Sequence, residues 1–390
     1  MRDQIERVLR GWDAHERGRG TPVIDFDLSS FTAEVTPLDR ITTLEKLTQL
    51  SRITADDGLS ARLTSDITYL RALLGERLPL DQYIRQTQGC TAAGWQPDYV
   101  EKKGEQAQCE LAQLGVKWGP DTENELNEAE GPLTLDAAIH TMRDAIDEYL
   151  PRVRELVGVN VDLNVNIETD NVDAYWSYWA DGTGNAIRLR LNTRRARFSK
   201  ARARYFALHE GVAHGLQMAS FAHQATTTNV SWVRFLSVHS LYLVAIEGIA
   251  QALPLFIAAD EPHLVARTRL DHYLKLVHAE LFLMINAGKS PEECISHARG
   301  RVPFWSGSDI ADLLADRSVN PLLRSYLWAY PAGIDWFVNL ADQRPANTER
   351  ILRDVYNTPL TPTQLEKAWP DGPTIGGNAN TVHLRDIAIP

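Results

Sequence analysis

Cysteine is scarce in this 390-residue chain: Cys90, Cys109 and Cys294 are odd in number and far apart. They offer no disulfide framework and no C-x-x-C metal pair, as expected in a reducing compartment. A run of about 18 apolar residues, the length needed to cross a bilayer, is also missing. The longest apolar stretch, LYLVAIEGIAQALPLFIAA, is interrupted by Glu247 and Gln251. The N-terminal MRDQIERVLRGWDAHERGRG is charged throughout and lacks the apolar region of a secretory signal. These absences predict a cytoplasmic protein with no membrane partner. Positive charge is in deficit as well, with 40 Lys and Arg against 51 Asp and Glu, which argues against a nucleic-acid partner. Residues 188 to 204, RLRLNTRRARFSKARAR, are a local exception with eight Lys or Arg and no acid. They form either a solvated approach to a helix or a set of arginines that receives an anionic group such as a C-terminal carboxylate.

What is present is ordinary for a soluble globular protein: 44% hydrophobic and 23% charged residues. The length suits one large domain or two intimately packed ones. ITTLEKLTQLSRI, LSARLTSDITYLRALLGER, DAAIHTMRDAIDEYLPRVRELVG and VSWVRFLSVHSLYLVAIEGIAQALPLF repeat apolar residues at three- and four-residue intervals and read as helices. Strands are confined to about 160–193, where VDLNVNIET, AYWSYWAD and NAIRLRLNT alternate, with DGTGN as a turn between the last two. The expected fold is mainly α with a small antiparallel β-sheet. A cluster of acids and turn formers near 118–133 separates an N-terminal helical region, 1–130, from a catalytic region, 131–390, within one compact unit. The final WPDGPTIGGNANTVHLRDIAIP is expected to wrap the surface or fray.

The chemistry concentrates in ALHEGVAHGLQ, residues 207–217. In H-E-x-x-H the histidines are one helical turn apart and reach the same metal, but His209 and His214 are five apart. On a regular helix that spacing splays them by roughly 140°. A π-type turn would return them to one side, so the sequence predicts a distorted helix between His209 and His214, near Gly211. A catalytic zinc takes three protein ligands and leaves a position for water. Glu247, in the otherwise apolar VAIEGIAQAL, is costly to bury unless paired or bound to metal and is the candidate third ligand.

HEGVAHGLQ followed by EGIA resembles a gluzincin-type group of metallopeptidases, the domain-of-unknown-function 885 family, with its H-E-x-x-P-G-H-x-L-Q and later E-G-x-A. The H-E-x-x-x-H spacing is similar to that of the tyrosine carboxypeptidases acting on tubulin tails. Looser matches cover about 70–335, including YLRALLGERLPLDQYIRQTQG, LFLMINAGKSPEECISHA and AYPAG. The order of helices, small sheet, motif helix and further helices resembles the zincin layout, in which an edge strand holds substrate beside the metal. The resemblance implies zinc held by His209, His214 and Glu247, and peptidase activity. By the family's Y-x-x-G it also implies Tyr330 as oxyanion donor, the alternative being a packing role beside Tyr326 and Trp328.

In such a site Glu210, next to the first ligand, acts as general base and then acid. His239, two turns before Glu247, is a weaker catalytic candidate, as is His223, because a lone histidine on a mostly apolar helix is more often a satisfied core residue. Gln217 orients a ligand or faces solvent. The strand NAIRLRLNT is a candidate for substrate binding by strand addition. The leading expectation is a zinc hydrolase cleaving an amide, a peptidase or carboxypeptidase on short peptides. A hydrolase of a non-peptide amide and a non-catalytic helical binding protein are the alternatives.

Overall fold

The computed structural model describes residues 1–29, 35–173 and 177–379. Helices dominate it, and several begin where the sequence supplies a side-chain cap for their unpaired N–H groups. Asp39, Asp56 and Thr134 accept from the first turns of Arg40–Ser51, Asp57–Leu73 and Leu135–Val157, and Ser290 forms a capping box with Glu293. Leu135–Val157 ends at Gly158, whose φ of 66° favours glycine.

The strands are β1 (Phe26–Asp27), β2 (Pro132–Leu133), β3 (Asn164–Asp170), β4 (Tyr178–Thr183), β5 (Ala186–Asn192), β6 (Phe198–Ser199) and β7 (Phe235–Leu236). The main sheet runs β3-β5-β4-β1-β7, and β2 pairs with β6. The β4–β5 hairpin turns through Gly184 and Asn185 as its sequence predicts. The sheet is nevertheless mixed rather than antiparallel: β5 inserts between β4 and β3 and pairs in parallel with β3, while β1 joins β4 in parallel. Alternation tells which face of a strand is buried, not which neighbour it takes. Ile187, Leu189 and Leu191 are indeed buried, and Arg188 points outward to Asp181. Because β5 is hydrogen-bonded on both sides, it has no free edge for substrate, which corrects the expectation of strand addition.

The buried face of β5 packs into the main core with Leu135–Val157, the motif helix, Leu243–Ala252 and Pro321–Gln343. The N-terminal helices build a second core around Trp12, Leu47, Leu63 and Leu70 that also takes Val233 and Phe235 from the 131–390 region. Arg62, fully buried, pairs with Asp66 at 2.9 Å and donates to Ser237 at 3.2 Å, tying the two regions together. The acidic stretch near 118–133 forms the helix Thr122–Glu130, whose Glu130 takes a bidentate hydrogen bond from buried Arg267. It is a fastened element rather than a loose linker.

Two glycines set the packing that matters for the site. Leu243–Ala252 and Pro321–Gln343 cross where Gly248 meets Gly333. A Cβ on Gly333 would stand 2.3 Å from the Val244 carbonyl oxygen, and one on Gly248 would stand 2.6 Å from the Gly333 backbone. The close crossing holds Glu247 against the tyrosines of the partner helix. At the C-terminal end Gly376 and Gly377, both with φ of 85°, lie against the backbone at Thr91 and Gly94. The remainder of the expected surface wrap, 380–390, falls outside the described residues. Among the described residues no helix is long and apolar enough to cross a membrane.

Candidate metal centre

The motif helix begins at Ser199, whose hydroxyl accepts from the Arg202 N–H at 3.1 Å. Its first segment, Lys200–Phe206, is α-helical, Ala207–His214 is π-helical, and Gly215–Thr227 resumes the α-helix. At the end of the wide turn the Gly215 N–H donates back five residues to the Glu210 carbonyl. The distortion predicted from the histidine spacing is therefore present over the whole motif. Gly211 contributes by its lack of a side chain: a Cβ there would lie 2.7 Å from Ile146 Cδ1 on Leu135–Val157. Its φ is not in the left-handed region, so close packing rather than backbone freedom explains the glycine.

The π-turn brings His209 Nε2 and His214 Nε2 to 3.2 Å, with the rings nearly perpendicular at 87°. Glu247 Oε2 lies 3.5 Å from the first nitrogen and 3.6 Å from the second. Four-coordinate zinc with bonds of about 2.0–2.1 Å separates its donors by about 3.3–3.4 Å. The three atoms therefore form a nearly equilateral face of the right size for one small metal ion. Glu247 is only 4% exposed, and its Oε2 has no hydrogen-bond partner. A buried carboxylate oxygen so placed lacks something to bind. Glu210 also falls within a possible ligand group with the two histidines, but its nearest ion-pair contact is to His209 at 3.8 Å. Distance to both rings favours Glu247 as the third ligand and leaves Glu210 free beside it.

Burial pushes the Glu247 carboxyl upward, but the charges of His214 and His209 outweigh it and hold the group well below the usual carboxylate range. Burial lowers His214, and the Glu247 carboxylate more than offsets this, leaving it above an ordinary histidine. Such mutual stabilisation is what a cationic centre facing a carboxylate produces.

Sequence reasoning does not single out Tyr326 as part of the site. Its hydroxyl donates to Glu247 Oε1 at 3.0 Å, which turns Oε2 toward the histidines. Tyr330, one turn later, makes a short hydrogen bond with Tyr326. A phenol has one proton to give, and since Tyr326 commits its own to Glu247, Tyr330 is the donor in that pair. Burial and the Glu247 charge keep both phenols protonated, well above the usual tyrosine value.

A cavity of about 250 Å³ opens onto this group, lined among others by His209, Glu210, Tyr330, Tyr178, Arg202 and Lys275. His239 is not there. Its Nε2 pairs with Asp66 at 2.9 Å and its ring stacks on Tyr69 at 4.2 Å, in the N-terminal core. Residues 237–242 form turns and the helix begins only at Leu243, so helical periodicity does not carry His239 to the side of Glu247. His223 is exposed near the end of the motif helix. Gln217 is fully buried rather than solvent-facing; its amide donates to the Val355 carbonyl at 3.1 Å, and the side chain helps to favour the protonated His214 ring. Of the basic stretch, Arg188 and Arg190 pair with Asp181, and Arg204 with Glu148 and Glu261, so these do not serve the cavity.

No protein-family model and no curated protein matches the sequence. Among solved structures the chain is similar to one described as "putative lipoprotein from Colwellia psychrerythraea", with a TM-score of 0.54 and 16% identity. The alignment covers 84% of this chain and 58% of that one, so the chain spans less than two thirds of its neighbour's length. At that identity the likeness concerns the fold alone.

Proposed function

We propose that the chain is a zinc-dependent hydrolase of zincin-like, gluzincin architecture that cleaves an amide bond, a peptidase or carboxypeptidase on short peptides. The observation that carries this reading is the triangle of His209, His214 and Glu247 donors, with Glu210 and Tyr330 at the same cavity. It agrees with the resemblance of HEGVAHGLQ and EGIA to the domain-of-unknown-function 885 metallopeptidases. His209, His214 and Glu247 would hold the zinc, which when bound would supply a water acidified to near neutrality and a Lewis acid for the scissile carbonyl.

The remaining chemistry belongs to the chain. Glu210 accepts a proton from the attacking water and delivers it to the amide nitrogen. As the carbon–oxygen bond forms and the carbon–nitrogen bond breaks, one water is consumed and an acid and an amine are released. Tyr330, kept protonated, turns its O–H from Tyr326 toward the carbonyl oxygen as charge builds there. Tyr326 holds Glu247 in place. A small non-peptide amide suits the 250 Å³ cavity as well as a short peptide does. The free cysteines, with Cys109 exposed, agree with a cytoplasmic setting.

Metal analysis together with a screen of di- and tripeptides against non-peptide amides tests the proposal. About one zinc per chain and hydrolysis abolished by Glu210→Gln are expected. Absence of zinc in protein purified without chelator contradicts it and leaves a binding protein with a buried His214–Glu247 ion pair.

A further inference from the structure

The cavity beside the histidines carries three cationic side chains, and they differ in what occupies them. Arg267 is spent: its guanidinium makes two 2.7 Å hydrogen bonds to Glu130. Arg202 is exposed at the mouth, 3.8 Å from Glu123. Lys275 sits on Pro262–Asn286 with its Nζ 4.8 Å from the centre of the Tyr330 ring, and no carboxylate lies within ion-pairing distance of it among the described residues. Asp271, one turn earlier on the same helix, also lines the cavity and adds its charge without forming an ion pair with Lys275.

A half-buried ammonium with only an aromatic face and a distant carboxylate for company is poorly compensated. Burial lowers its affinity for a proton, and Asp271 and Glu247 only partly restore it. An arriving anion completes its surroundings. The Tyr330 ring and two successive hydrogen bonds, Tyr330 to Tyr326 and Tyr326 to Glu247, link this ammonium to Glu247. In a peptide with a free C-terminus, only the amide nitrogen and one α-carbon separate the scissile carbonyl from the terminal carboxylate. Both groups therefore have to sit close together, and Lys275, Glu210 and Tyr330 line one cavity here.

Resting on the amide-hydrolase reading, we infer that Lys275 binds the terminal carboxylate of the substrate, so that the enzyme takes peptides or N-acyl amino acids with a free C-terminus and releases the last residue. Lys275 is then the specificity determinant, rather than the arginines of 188–204. A charge-assisted contact of this kind is worth about ten- to hundredfold in recognition.

The test uses N-acetyl dipeptides with a free C-terminus and the same dipeptides as C-terminal carboxamides. Cleavage is measured with the zinc-loaded protein, and binding by calorimetry with Glu210→Gln. The acids are expected to exceed the carboxamides by about ten- to hundredfold in kcat/KM and in affinity. Lys275→Met and Lys275→Gln should bring that ratio near one, and Lys275→Arg should retain most of it, with zinc content and circular dichroism confirming that each variant is folded. Equal handling of acid and carboxamide, no binding of either by a zinc-loaded protein, or a preference that survives Lys275→Met overturns the inference while leaving the zinc site standing. A wild-type protein without zinc and without cleavage overturns the hydrolase reading itself, and the inference with it.

Discussion

The Nε2 atoms of His209 and His214 stand 3.2 Å apart although the residues are five positions apart, because the intervening backbone is a π-helix. The wide turn rests against Ile146 at Gly211, where a side chain would collide. Gly211→Ala should destabilise the fold by about 1–3 kcal/mol through overpacking and should weaken zinc retention. The obstructing atoms are Ile146 Cδ1 at 2.7 Å and Cγ1 at 2.9 Å, so Ile146→Val in the same chain, which removes only the first, should recover part of the loss. A thermal-melt double-mutant cycle checks the coupling, and strictly additive effects would separate Gly211 from the helix contact.

At the Gly248–Gly333 crossing the obstruction is backbone, which cannot swing aside. Gly333→Ala should therefore cost more than Gly211→Ala and should have no single-residue rescue at a neighbouring side chain. Since the crossing sets the distance from Tyr326 to Glu247, zinc affinity should fall together with stability. Urea unfolding with parallel zinc titration reads both quantities.

The two tyrosines have separable roles. Tyr326→Phe removes the donor that orients Glu247 and should weaken zinc binding by about 10–100-fold. Tyr330→Phe leaves that contact intact and should lower kcat by up to about 10²–10³-fold with zinc still bound. Competitive chelator titration beside steady-state kinetics distinguishes them, and equal effects on both quantities would deny the division.

Much of this site is legible in the sequence because its parts are chemically conspicuous. A histidine pair at an odd spacing and a glutamate in an apolar helix each demand a chemical reason for being there. Tyr326 and Lys275 do not. They come from helices remote in sequence, and only the Gly248–Gly333 crossing and the packing of Pro262–Asn286 bring them to the group formed by His209, His214 and Glu247. His239 shows the reverse failure: the apolar periodicity continues through residues that the fold shapes into turns. In the sheet, alternation correctly assigns the buried face of β5, whereas its parallel partner β3 depends on tertiary packing.

Away from the site, Asp25 predicts a pH dependence of stability. Burial, with the nearby Asp13 and Asp181 charges, outweighs the Val238 N–H and Arg17 and raises its carboxyl to about 7. The folded protein thus holds a proton that the unfolded chain gives up near pH 4, so this group's contribution falls as pH rises from about 4 to about 7 and is level above that. Asp25→Asn should leave stability unchanged near pH 4 and raise it by roughly 2 kcal/mol at pH 8, below the full linkage value because the group is partly open to water. Unfolding curves of both proteins at the two pH values check the sign. A variant less stable at pH 8 would show that the carboxylate is needed there.

The most direct measurement is the metal content of the protein purified without chelator and dialysed, determined by elemental mass spectrometry for the wild type, Glu210→Gln and Glu247→Ala. The account predicts about one zinc per chain in the first two and loss of the metal in the third, with Glu210→Gln inactive. Zinc absent from the wild type, or retained undiminished by Glu247→Ala, would contradict a centre built from His209, His214 and Glu247.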